Sequence, residues 1–223
     1  MLSRGVRLFW QALKNNWIPA VGIWVAGALI VYAYYRGGFV RDAAEGILAM
    51  RERFGLWYPI GSMVLFGAVL PTLTQLLIMP GARRNALHRF PFIIPFWAWK
   101  GIEIEYFYKL QSIVYGDSSE LGVIVSKVLT DQFIYTPTFG MISNVLYMRW
   151  IAVHIGELPR STVVIPRGWF GTLVFPQLVA CWALWIPAVS LVYMLPYPLQ
   201  LPLANMILWL WSMMLIFMSR QDS

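Results

Sequence analysis

A chain of 223 residues with 59% hydrophobic and 12% charged side chains, and a mean hydropathy of +0.63, is too apolar for an ordinary soluble domain, in which about 25% of residues are charged. Its formal charge of +7 comes from arginines scattered at the flanks of apolar runs, as topology selection in a bilayer produces, and no basic helix or aromatic-basic module argues for nucleic acid. A single cysteine, Cys181, excludes an internal disulfide, and two histidines, His88 and His154, offer no spacing for a metal centre.

Residues 1–16 carry Arg4, Arg7 and Lys14, no acid, and the apolar Leu2, Val6, Leu8, Phe9, Trp10 and Leu13. The segment reads as an interfacial amphipathic helix with the basic look of a mitochondrial address. It runs directly into the uncharged stretch Trp17 to Tyr35, about long enough to span a bilayer, which favours a retained anchor over a cleaved leader. A charged connector from Arg36 to Arg53 follows, with Asp42, Glu45, Arg51 and Glu52. Leu56 to Ile78 is a second predicted span, bent at Pro71 and carrying Gln75; Met79-Pro80-Gly81 ends it, and Arg83, Arg84 and Arg89 lie beyond. The third, about Phe90 to Val114, is charged in its second half, where Lys100 with Glu103 and Glu105 with Lys109 have helical pairing distances. Gly116 to Glu120 is a predicted turn in which Ser118 or Ser119 caps the next helix.

The run Lys127-Val128-Leu129-Thr130-Asp131-Gln132-Phe133-Ile134-Tyr135-Thr136-Pro137 is the most informative part of the chain. Lys127 and Asp131 are four apart, so on a helix they share a face and are expected to pair. No charged residue occurs from Gln132 to Met148, so the pair enters a segment that a bilayer could bury, where ionisable side chains are site candidates by default. Pro137 removes one backbone donor and frees a carbonyl about a turn earlier, which predicts a bend. The helix reaches about Trp150, and a connector with Glu157, Pro159, Arg160, Pro166 and Arg167 follows; His154 near Glu157 reads as an interfacial pair. From Gly168 to Ser219 there is no charge, and Pro196-Tyr197-Pro198 divides this run into spans at about Trp169 to Leu195, kinked at Pro187, and Leu199 to Met218. The expected fold is an all-α polytopic membrane bundle of about six helices with an N-terminal amphipathic segment. Lys and Arg are commoner on the side that holds both termini, which places that side on the cytoplasm, or on the matrix of a mitochondrion.

Lys-x-x-x-Asp-Gln-x-x-x-x-Pro at Lys127, Asp131, Gln132 and Pro137 resembles, without a gap, the signature of the Mpv-seventeen family, the relatives of the 22-kilodalton peroxisomal membrane protein. Gly101 and Tyr108 fall on the spacing of the family's Gly-Pro-x-x-His-x-Trp-Tyr, with Ile102, Glu105 and Phe107 at its Pro, His and Trp positions. Gln75 matches the glutamine of Gly-Asp-x-x-x-Gln, with Pro71 at the aspartate position. Trp182 to Pro187 is similar to Trp-x-x-Trp-Pro with one residue inserted, and Ser190 stands where a glutamine is usual. Pro196 and the run from Trp211 to Ser219 resemble the closing elements. The likeness divides the chain into residues 1–55, an added N-terminal part, and residues 56–219, a domain similar to the family. It implies a small multi-span helical protein of mitochondrial inner, peroxisomal or related membranes with no known catalytic role, some members being considered non-selective channels for small solutes.

Two readings of the polar groups stay open. Gln75, Glu103, Glu105, Lys127, Asp131 and Gln132 converge between helices to line a pore for small solutes, or the same groups fix helix register as bridges. The partners implied are the lipid bilayer and either further copies of the chain or other membrane subunits, in the second case with the chain as a non-catalytic accessory component. An enzyme is not expected, because no His-Glu-x-x-His, nucleotide-binding glycine loop or nucleophile elbow is present, and Glu103 and Glu105 diverge by about 200° on a helix. No cofactor is implied.

Overall fold

Glycine and proline decide where this all-helical chain bends. The computed structural model describes the backbone of residues 2–79, 81 and 83–221, and the side chains of residues 17–18, 20–79, 81, 83–162 and 164–213. The first helix, α1 (Leu2–Arg36), joins the expected amphipathic segment and the first apolar stretch into one rod; the side chains of residues 1–16, on which the amphipathic reading depends, lie outside the described residues. It stops at Gly37 and Gly38, whose φ angles of 84° and 82° are readily adopted only without a Cβ, and the chain turns by 90° into α2 (Phe39–Phe54).

Next come α3 (Trp57–Val64), a π-helical stretch (Leu65–Val69) and α4 (Leu70–Ile78), which together make the rod Trp57–Ile78. The long helix α5 (Arg83–Tyr115) returns across it. A second π-helical stretch, Asp131–Gly140, separates α6 (Leu121–Thr130) from α7 (Met141–His154). A third, Phe170–Val174, opens α8 (Phe175–Val192), and α9 (Tyr197–Gln221) follows. Each of these wide turns has a proline in or just after it, at Pro71, Pro137 and Pro176. A proline ring collides with the carbonyl four residues back and cannot donate to it, and one extra residue in the turn moves that carbonyl away. At Pro71 and Pro137, where bends are expected, the helix widens into these turns and continues. Proline permits the wide turn without compelling it, because Pro91, Pro95, Pro187 and Pro202 lie inside α-helices.

Among the described residues two helices, Trp57–Ile78 and Phe170–Val192, are long and apolar enough to cross a membrane, and the bent pair Ala20–Arg36 with Phe39–Phe54 makes a third if it counts as one span. That is fewer than the six expected. Two of the other expected spans carry charge, at Lys100, Glu103, Glu105 and Lys109 of α5 and at Lys127 and Asp131 of the broken rod of α6 and α7, and the side chains of α9, uncharged up to Ser219, are described only to residue 213. In the two clear spans only 28% of the most apolar window is buried inside the protein, so most of their apolar surface points outward, as a bilayer-facing helix requires.

The expected serine cap of α6 is not formed. Its cap position is Glu120, and no side chain caps it. The turn is fastened by Asp117 instead, which accepts from Ser112 Oγ at 2.7 Å and from Lys127 Nζ at 3.2 Å. Elsewhere one continuous apolar cluster gathers Ala20, Ile23 and Val31 of α1, Ala44 of α2 and Leu184, Ala188 and Ile207 of the last two helices. Trp24 Nε1 donates to the carbonyl of Leu184 at 2.9 Å and fixes α1 on α8. The outer face of α1, with Trp17, Ile18, Val21, Val25, Leu29 and Tyr32, is exposed.

Candidate functional site

The second π-helical stretch builds the site. In a π-helix the amide of residue i bonds to the carbonyl of residue i−5, a pattern that Met141 N–H to Thr136 O completes at the end of this one. Position 137 should therefore donate to Gln132 O, but Pro137 has no N–H to give. Trp182 Nε1 of α8 makes that bond at 2.7 Å, so the carbonyl that the proline orphans becomes the docking point of another helix. Trp182→Phe keeps an aromatic ring, though a smaller one, and leaves the carbonyl without a donor. It is expected to lower stability by roughly 1–3 kcal/mol, read as an earlier midpoint in denaturing-detergent titration.

One residue before Gln132, Asp131 is buried at 5% exposure. Its Oδ2 accepts from Tyr193 Oη at 2.6 Å, and its Oδ1 accepts from Gln132 Nε2 at 3.1 Å and Thr136 Oγ1 at 3.2 Å. Gln111 Nε2 donates to Tyr193 Oη at 2.7 Å, which occupies the acceptor side of that hydroxyl and turns its hydrogen toward Asp131. The expected Lys127–Asp131 pair is not present. Helical side chains lean toward the N-terminus, and the long Lys127 reaches back to Asp117, while the short Asp131 finds its donors on the wide turn and on α8. Their side chains are linked through Tyr193, which donates to Asp131 and whose ring centroid is 5.9 Å from Lys127 Nζ.

Lys100 and Glu103 do pair, at 2.8 Å, and Glu103 Oε1 also accepts from Tyr135 Oη at 2.6 Å. Glu105 does not pair with Lys109. It meets Arg51 Nη2 at 2.5 Å and Tyr197 Oη at 2.5 Å, because it faces inward to α2 and the start of α9 while Lys109 is exposed. Glu157 likewise pairs with Arg89 rather than with His154, which stacks on Trp150 and meets Phe92 edge-on. Gln75 is half-buried on α4 and belongs to none of these networks.

Between α5, the second π-helical stretch, α7, α8 and α9 lies a cavity of about 500 Å³, within the range of small-molecule sites. Asp131 and Gln132 line it, and so do Lys100, Tyr135, Asn144 and Asn205. Lys127, Glu103, Glu105 and Gln75 are not among its walls, so of the six candidate residues Asp131 and Gln132 line the cavity, Lys127, Glu103 and Glu105 belong to the clamps around it, and Gln75 belongs to neither. The spacing rules do not reveal Tyr193, Gln111, Arg51 or Asn205. The signal available for Gln111, Tyr193 and Asn205 is a lone amide or phenol inside an apolar helix, which must find a partner when buried. Among the described residues no three His, Cys, Asp or Glu side chains gather into a group that could hold a metal ion.

In comparisons with known proteins, no family model, no curated protein and no solved structure matches this chain.

Proposed function

We propose that this chain is a multi-span membrane protein whose helices enclose a path for small solutes across an organelle inner membrane, with the internal cavity as its solute-holding chamber. The observation that carries this reading is the 500 Å³ cavity, mostly apolar but with Lys100, Asp131, Gln132, Asn144 and Asn205 on its wall, between helices whose outer surfaces are apolar. Helices that only had to pack would close such a space, since protein interiors approach crystalline density. The order of Lys127, Asp131, Gln132 and Pro137, similar to that of the Mpv-seventeen family, supports the same reading, and through it the mitochondrial inner membrane. In this arrangement α5, the broken rod of α6 and α7, and α9 are spans as well. Their central ionisable groups are turned inward and paired or hydrogen-bonded, with Lys100 4%, Lys127 1% and Asp131 5% exposed, which is how a bilayer tolerates them.

The test is solute entry into liposomes that hold the purified chain alone. Urea and glycerol are expected to enter faster than into protein-free vesicles, while sucrose is retained. Rates equal to those of protein-free vesicles, with the chain inserted and folded, overturn the reading. A second reading, a structural subunit of a larger membrane assembly, is favoured by the exposed aromatic and aliphatic outer face of α1. Co-migration with a large complex on native gels after mild extraction supports it, and migration as a small homo-oligomer opposes it.

A further inference from the structure

The cavity wall carries a carboxylate without a counter-charge and two acceptors without partners among the described residues. Asp131 takes three hydrogen bonds, all from neutral donors, and among the described residues no Lys or Arg nitrogen comes within 4.0 Å of it. The two lysines nearby are already matched: Lys127 by Asp117 at 3.2 Å, and Lys100, itself on the wall, by Glu103 at 2.8 Å. The excess charge of the chamber is therefore negative and sits on Asp131. A buried anion without a counter-charge is costly, and a bound cation relieves that cost.

The two acceptors point to the same chemistry. Gln132 is 2% exposed; its Nε2 is taken by Asp131, and its Oε1 has no partner among the described residues. Asn205 is fully buried; its Nδ2 donates to Ser62 Oγ at 2.6 Å, and its Oδ1 has no partner among the described residues. Both residues line the same cavity as Asp131, so the group that satisfies them must donate. The remaining wall is mostly apolar and includes the rings of Trp97, Tyr108, Tyr135, Trp185 and Trp211, whose faces attract cations. A neutral polyol would meet the amides and leave the charge unanswered, and a carboxylate would meet Asp131 head-on.

We infer that the cavity is a binding site for a small organic ammonium ion, with Asp131 as its counter-charge, Gln132 Oε1 and Asn205 Oδ1 accepting its N–H groups, and the mostly apolar wall around its carbon skeleton. This deepens the solute-path reading by naming the class of solute and rests on that reading.

The test compares three molecules of one shape, 2-phenylethylammonium, 2-phenylethanol and phenylacetate, by titration calorimetry with the full chain in detergent micelles. The ammonium ion is expected to bind saturably and at least about tenfold tighter than the alcohol, and phenylacetate not to bind. Asp131→Asn keeps the shape and removes the charge, and is expected to bring the ratio of ammonium to alcohol affinity to about one. Equal binding of the ammonium ion and the alcohol by the wild-type chain, or no saturable binding of the ammonium ion, overturns the inference even if Asp131→Asn does not fold. Urea entry into liposomes with no ammonium preference in micelles defeats this inference and leaves the solute path standing. Ammonium binding without solute entry upholds the site and removes the transport reading.

Discussion

Gly101→Val is expected to destabilise the protein by about 3 kcal/mol or more, because it drives two helix backbones apart. A Cβ at position 101 would lie 2.5 Å from the carbonyl oxygen of Pro59, 2.9 Å from its carbonyl carbon and 3.0 Å from Cα of Ile60. All three are backbone atoms of α3, so no side-chain rotation relieves the collision, and α5 must shift as a body. The shift would carry Lys100 and Tyr108 with it, both of which line the cavity, so ligand binding and stability should fail together. The control is Gly46→Ala on α2, where an added Cβ meets nothing within 4 Å and the change is expected to be neutral or to stabilise by up to about 1 kcal/mol through helix propensity. Unfolding in a denaturing-detergent titration, with size-exclusion profiles of the folded forms, measures both. Gly101→Val as stable as the parent would contradict the tight crossing of α3 and α5.

Arg51→Met is expected to cost about 3–5 kcal/mol, most of which Arg51→Met with Glu105→Met together should recover. The two side chains are only 12% and 13% exposed, and Arg51 lies over the rings of Tyr58 at 5.4 Å and Tyr197 at 5.7 Å. Removing the arginine alone leaves the Glu105 carboxylate buried with a phenol as its remaining donor. The pair is itself incompletely satisfied, since Arg51 Nη1 and Glu105 Oε2 have no partners among the described residues. An apolar replacement of both therefore forfeits little beyond the mutual attraction. The double-mutant cycle measures the coupling, and a double variant no more stable than Arg51→Met would show that the clamp acts through something other than charge pairing.

The sequence makes the helical class legible because the apolar runs are long and the breakers stand where helices turn, at Gly37-Gly38, at Gly116 and at Pro196. Local pairs are legible in part. Lys100 and Glu103 meet as their spacing of three predicts. Lys127 and Asp131, four apart, do not, because Asp117 lies nearer to where a long side chain on a helix leans and Asp131 has donors on α8. Periodicity proposes only neighbours one turn away. Arg51 with Glu105 and Tyr193 with Asp131 are joined across 54 and 62 residues, and which residues face each other at that range depends on how each helix is rotated in the bundle. Pro137 shows the limit most clearly. The freed carbonyl follows from the absent N–H, and the wide turn makes it that of Gln132, but nothing in the spacing tells that Trp182 fills it.

The central claim is that the cavity is a solute path, and the chain carries its own reporter. Cys181, the single cysteine, lines that cavity. The decisive measurement is urea entry into liposomes that hold the purified chain, before and after modification of Cys181 with a small methanethiosulfonate reagent. Entry above the protein-free rate, falling to that rate on modification and insensitive to the reagent in Cys181→Ser, is the predicted result. Entry at the protein-free rate from the start, or entry unchanged when Cys181 is fully modified, would contradict the account.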